Sequence, residues 1–105
     1  RGDGTVDKVE VAKAKALRGN IIGKLYACYG DDITVSNLKQ LLSYNGYNSD
    51  REIRKAVYYL TGAQKEYVKL VYDKDNYMNS LIRLTPRGVN LAEGDEKDIG
   101  VVMDE

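Results

Sequence analysis

The sequence predicts an α+β domain, mainly α, in which a three-helix bundle is followed by a β-hairpin and a short closing helix. Three observations predict it. Apolar residues recur at three- and four-residue spacing up to Leu60, the period of a helix with one buried face. Ser49-Asp50-Arg51-Glu52 spells a capping box, a serine at the cap and a glutamate three positions on, which opens a helix. Beyond Thr61-Gly62 the period changes, and two β-rich runs, Tyr67 to Tyr72 and Ser80 to Leu84, flank Asp73-Lys74-Asp75-Asn76.

In chain order, Asp7 with Glu10 forms a candidate capping box, and Leu17, Ile21, Leu25 and Cys28 define the buried face of the first helix. Gly30 is its natural left-handed stop. Gly19 and Gly23 inside the pattern either break off a leading helix near Leu17 or permit close packing. Asp31 to Val35 is turn-initiated and β-branched, so a brief strand is expected before Ser36 caps the second helix. That helix carries Leu38, Leu41 and Leu42 on one face and ends at Tyr44-Asn45-Gly46-Tyr47.

The third helix buries Ile53, Ala56, Val57 and Leu60, because these fall on one side at 100° per residue. Arg51, Lys55 and Tyr58 then lie opposite, with Arg54 beside them. The two β-rich runs are close enough in sequence to pair as a hairpin whose loop lies between Asp73 and Asn79. Thr85-Pro86 sets a cap before a proline at the first helical position, and Gly94 after Glu93 closes the last helix. Residues 1–7 are expected to be a disordered end, 8–94 the domain and 95–105 an acidic tail. In that tail Ile99, Val101, Val102 and Met103 either dock as a strand or stay mobile.

Composition narrows the function. No apolar run approaches the roughly 18 to 20 residues of a membrane span, so no membrane association is expected. Cys28 stands alone and cannot form an internal disulfide, which fits a reducing, cytoplasmic setting. The chain has no histidine, which removes mixed Cys/His zinc sites and Ser-His or Cys-His catalysis. No phosphate-cradling glycine motif, nucleophile elbow or EF-hand spacing is present. Neither an enzyme nor a cofactor or metal site is therefore expected. Arg1-Gly2-Asp3 spells an adhesion tripeptide, but the opening Arg1 to Thr5 reads as a processed or appended end. Net charge is zero, yet residues 93–105 hold six acids against Lys97, while the body before them has 15 bases against 10 acids. That asymmetry suits a nucleic-acid-binding body with a solvated or autoinhibitory tail.

The order helix, short strand, helix, turn, helix, hairpin resembles the winged helix-turn-helix superfamily. Leu17-Arg18-Gly19-Asn20-Ile21-Ile22 resembles the start of its first helix, and Ile33-Thr34-Val35-Ser36-Asn37-Leu38 its link into the second. Leu84-Thr85-Pro86-Arg87-Gly88 through Gly94 is similar to the closing LTxxG passage of many bacterial, archaeal and phage members. The resemblance covers about residues 17 to 94. It implies a sequence-specific double-stranded DNA-binding protein, a transcriptional regulator, whose helix at about residues 50–62 reads the major groove.

By position the readers would be Arg51, Arg54, Lys55 and Tyr58. An arginine fork matches guanine O6 and N7, and Lys55 and Tyr58 suit phosphates. Asn48, Ser49 and the free amides behind them could hold a phosphate too. In the hairpin loop Lys74 is the one base, between Asp73 and Asp75; Asn76, Tyr77 and Asn79 could reach a minor groove, and Arg83 and Arg87 suit phosphates near its base. Tyr26 and Tyr59 are expected to serve as core or rim packing. A homodimer is expected, since one module buries little surface. The alternative reading is a winged-helix protein-interaction module, a small subunit or adaptor with a protein partner, which the zero net charge and poorly basic hairpin favour.

Overall fold

The computed structural model describes residues 7–103. Asp7 starts the first helix, its carboxylate accepting the Val9 N–H at 2.8 Å. The rest of the expected disordered end lies outside the described residues, as do Asp104 and Glu105 of the tail. The described residues form four helices and a small three-stranded antiparallel sheet, an α+β arrangement.

Helix α1 (Lys8–Ala27) runs unbroken through both glycines and buries Leu17, Ile21, Ile22 and Leu25. It is the post on which α2 (Val35–Ser43), α3 (Asp50–Thr61) and α4 (Pro86–Glu93) all pack. Between α1 and α2 lies β1 (Ile33–Thr34). The cap of α2 is Thr34 rather than Ser36: the Thr34 hydroxyl accepts the Asn37 N–H at 3.1 Å. Sheet pairing decides this, because Thr34 sits opposite Leu81 in extended conformation and the Val35 N–H is held by the Ser80 carbonyl at 2.9 Å. The chain leaves the sheet at Thr34, so the helix begins one residue later. Val35, Leu38 and Leu42 are buried, and Leu41 is only half-buried.

Ser49 caps α3 as the capping box requires, its hydroxyl accepting the Glu52 N–H at 3.2 Å. Strands β2 (Val68–Val71) and β3 (Leu81–Leu84) pair in antiparallel register from Val68 opposite Leu84 to Val71 opposite Leu81, in sheet order β1-β3-β2. Val68, Ile82 and Leu84 face the core, while Lys69, Val71, Leu81 and Arg83 face out, the alternation a two-residue period imposes. The connecting loop contains a 3₁₀ turn (Tyr77–Asn79), capped by the Asn76 carboxamide oxygen, which accepts the Met78 N–H at 3.0 Å. Thr85 caps α4 by accepting the Gly88 N–H at 3.1 Å, and the helix ends on Gly94 at φ 86°.

Beyond Gly94 the chain turns back across α1 without forming a described strand or helix. Val101 is buried, and the Val102 N–H reaches the Lys15 carbonyl at 3.1 Å. The crossing point is Gly19, where any Cβ would collide with the Val102 carbonyl. Close packing is thus the role of Gly19, whereas nothing lies within 4 Å of a Cβ built at Gly23. Ile99 points outward, 93% exposed. Among the described residues no helix is long and apolar enough to cross a membrane.

The two glycines of α1 make opposite predictions. Gly23→Ala should raise stability by about 0.5 to 1 kcal/mol, because it restricts the unfolded chain and meets no neighbour. Gly19→Ala should lose that gain and unprotect the Val102 amide, since the tail must lift off the helix. Thermal melts combined with amide hydrogen exchange would decide; equal stabilisation by both alanines would contradict the packing.

Candidate nucleic-acid interface

Helix α3 is amphipathic in a way that fixes its orientation. Ile53, Ala56, Val57 and Leu60 are buried in the core shared with α1 and the sheet. Burying one such aliphatic side chain gains roughly 1.5 to 3 kcal/mol, against about 0 to 1 for an exposed ion pair. The apolar stripe therefore wins, and Arg51, Arg54, Lys55 and Tyr58 are left exposed, Tyr58 at 82%. Asn48 and Ser49, at the entry to the helix, are exposed as well.

Between α2, α3 and the 3₁₀ turn lies an open groove of about 420 Å³. Val35, Ile53 and Met78 form its apolar lining, and Lys39, Asp50, Arg51, Arg54 and Tyr77 its polar and aromatic one. Lys39 is neutralised by an ion pair with Asp50, which ties α2 to the start of α3. Lys55 lies 3.9 Å from Glu52, a solvent-exposed pair of little energetic weight. Among the described residues no carboxylate pairs with Arg51 or Arg54. The Arg54 guanidinium instead lies over the Tyr77 ring, 4.3 Å from its centroid. Burial pushes the Tyr77 hydroxyl pKa up, and the Arg54 charge partly offsets this.

The other expected contact residues fall into separate arrangements. Lys74 and Asn76 are exposed on the hairpin loop, where the Asp73 carboxylate accepts the Asp75 and Asn76 N–H groups at 2.9 and 3.3 Å. The Asn76 carboxamide oxygen is occupied in capping the turn. Arg83, on the outer face of β3, lies 3.7 Å from Asp32. Arg87 is held by the tail: its Nε and a terminal nitrogen donate to Glu96 at 2.8 and 2.7 Å, and its other nitrogen to the Gln64 and Lys65 carbonyls at 3.0 and 2.9 Å.

Glu96 belongs to a clasp that sequence periodicity does not reveal. Asp98, its side chain almost wholly buried, accepts from Lys65 at 2.9 Å and from the Tyr67 hydroxyl at 2.8 Å. Arg18 completes it, donating to the Gly100 carbonyl at 3.0 Å with its guanidinium 3.8 Å from the Tyr59 ring centroid. Burial alone would raise the Asp98 pKa, but the Lys65 ammonium, the Gly100 N–H and the Tyr67 hydroxyl together hold it at about 2. Burial, with Asp98 beside it, pushes Tyr67 up to about 12. The Arg87 guanidinium likewise lowers Glu96.

The sequence reading thus placed the exposed face of α3 but not Lys39, Met78 or the Lys65–Tyr67–Asp98 clasp. Tyr77, a candidate minor-groove contact, is half-buried in the 3₁₀ turn with its ring against the Arg54 guanidinium. The one sequence signal for that turn was Asn76, a capping residue ahead of Tyr77-Met78-Asn79. Compared with protein-family models, curated proteins and solved structures, the chain shows no significant match.

Because the folded Asp98 pKa is depressed, its stabilising effect is complete above the ordinary aspartate pKa of about 3.9 and is lost as pH falls through about 2. Asp98→Asn should cost about 2 kcal/mol at pH 7, the scale of a hydrogen bond to a charged group, with the cost shrinking below about pH 4 and nearly gone once pH is below about 2. Urea melts of both proteins across that range would measure it; a difference independent of pH would contradict the clasp.

Proposed function

We propose that this chain is a winged helix-turn-helix protein that binds double-stranded DNA in a sequence-specific manner, a cytoplasmic transcriptional regulator that reads the major groove with α3. The observation that carries the reading is the division of α3 between a core-facing aliphatic stripe and an exposed side bearing Arg51, Arg54, Lys55 and Tyr58. The element order supports it, since helix, short strand, helix, turn, helix, hairpin is the order on which the resemblance rests. Arg51 and Arg54, without carboxylate partners among the described residues, suit bidentate contacts to guanine. Lys55 and Tyr58 suit phosphates, and a homodimer would supply the surface one module lacks.

A second reading, a protein-interaction module, is favoured by the hairpin, which exposes Val71, Tyr72 and Leu81 at 51%, 55% and 38% and whose loop has one base between two acids. Such a surface suits a protein partner better than a phosphate backbone.

Selection of duplexes from random DNA, followed by titration at several salt concentrations, tests the first reading. Arg51→Ala or Arg54→Ala should weaken binding of the selected site by roughly 5- to 150-fold and relax discrimination at one base pair each. Lys55→Ala should weaken all duplexes alike and reduce the salt slope by about 1. Absence of binding at low salt, where phosphate neutralisation is strongest, rules the reading out.

A further inference from the structure

The Arg54–Tyr77 stack joins the exposed face of α3 to the hairpin, and neither residue is placed there by chance of a flexible loop. Tyr77 is half-buried and packs against the core. Its 3₁₀ turn is closed at both ends: the Asn79 N–H reaches the Asn76 carbonyl at 2.9 Å and the Ser80 N–H the Tyr77 carbonyl at 3.0 Å. Ser80 is fully buried, and its hydroxyl accepts the Asp73 N–H at 2.9 Å, pinning the start of the loop to its end. Tyr72 adds a tilted ring contact at 6.2 Å. The ring is therefore a fixed shelf, and Arg54 lies across it at 4.3 Å.

An exposed cation over an aromatic face gains little free energy, so the stack adds little to stability. Its consequence is orientational. A free arginine samples many rotamers and loses that freedom on binding, whereas a guanidinium held against a fixed ring has already given up part of that freedom. A planar fork held in one orientation matches a planar bidentate acceptor, a guanine edge, better than a phosphate, which accepts from many directions.

We infer that Tyr77 is a positioning residue: the hairpin turn holds the Arg54 guanidinium against its ring so that it is presented to read a guanine edge, with the hairpin acting as a buttress to α3 rather than as an independent DNA contact. The inference rests on the DNA-binding reading of α3. It assigns Tyr77 a role through Arg54 and none in touching the duplex itself.

The test uses the full chain and the duplex it selects. Tyr77→Phe keeps the ring and should stay within about twofold of the wild type in affinity and discrimination. Tyr77→Leu keeps apolar burial but removes the aromatic face, and should lose roughly three- to fivefold in discrimination of G·C from A·T at one position. In an Arg54→Ala background Tyr77→Leu should have no further effect, and the ring-current shift of the Arg54 δ protons should persist in the Phe variant and vanish in the Leu variant. Thermal melts of the Phe and Leu variants control for folding. Wild-type discrimination in Tyr77→Leu, or an effect that survives without Arg54, overturns this inference alone. A wild-type chain that selects no sequence overturns the DNA-binding reading and this inference with it.

Discussion

The direction in which α3 faces depends on one constraint, the burial of Ile53, Ala56, Val57 and Leu60 against α1. Those four residues occupy one side of the helix, and rotating it by half a turn would place Arg51, Arg54 and Lys55 among core residues that, as described, carry no compensating charge. The penalty for an unpaired buried cation far exceeds anything exposed ion pairs return. Hence the orientation of the basic face follows from the aliphatic one, and α1 determines it from the other side through Leu17, Ile21, Ile22 and Leu25.

A second division operates on charge. The sequence places a basic body before an acidic terminal segment, and the fold brings part of each together: Glu96 to Arg87 and Asp98 to Lys65. That contact pairs two cations with carboxylates and leaves those of α3 outside it. The two ionic sets differ in setting, since Asp98 is almost wholly buried whereas the α3 cations are solvated. Salt screens the second far more than the first, so the clasp holds under conditions that weaken any attraction of the α3 face for phosphates.

Local signals carried most of the elements. The capping box at Ser49, the Thr85-Pro86 start and the Gly94 stop are each decided within four residues, and each is found where the sequence puts it. The cap of α2 moved from Ser36 to Thr34 because β1 pairs with β3, a contact between residues nearly fifty positions apart that no window of local sequence contains. The same holds at the site. The exposed face of α3 was legible because it is the complement of a periodic stripe, whereas Arg54 on Tyr77, Arg87 on Glu96 and Gly19 beneath Val102 are tertiary meetings. Gly19 shows the limit well: the sequence leaves its role and that of Gly23 equivalent, and only the path of the returning tail separates them.

The hairpin is where local and long-range order combine. Its loop is short of positive charge, with Lys74 between Asp73 and Asp75, so electrostatics alone would make it a poor ligand for a phosphate backbone. Yet it is not loose: Asp73, Asn76 and Ser80 each accept a backbone N–H within it, and its turn is built onto the core through Tyr77. A rigid loop with little charge contributes by placing another group rather than by binding on its own. In this chain the group it meets is Arg54, one of two arginines on α3 without a carboxylate partner among the described residues.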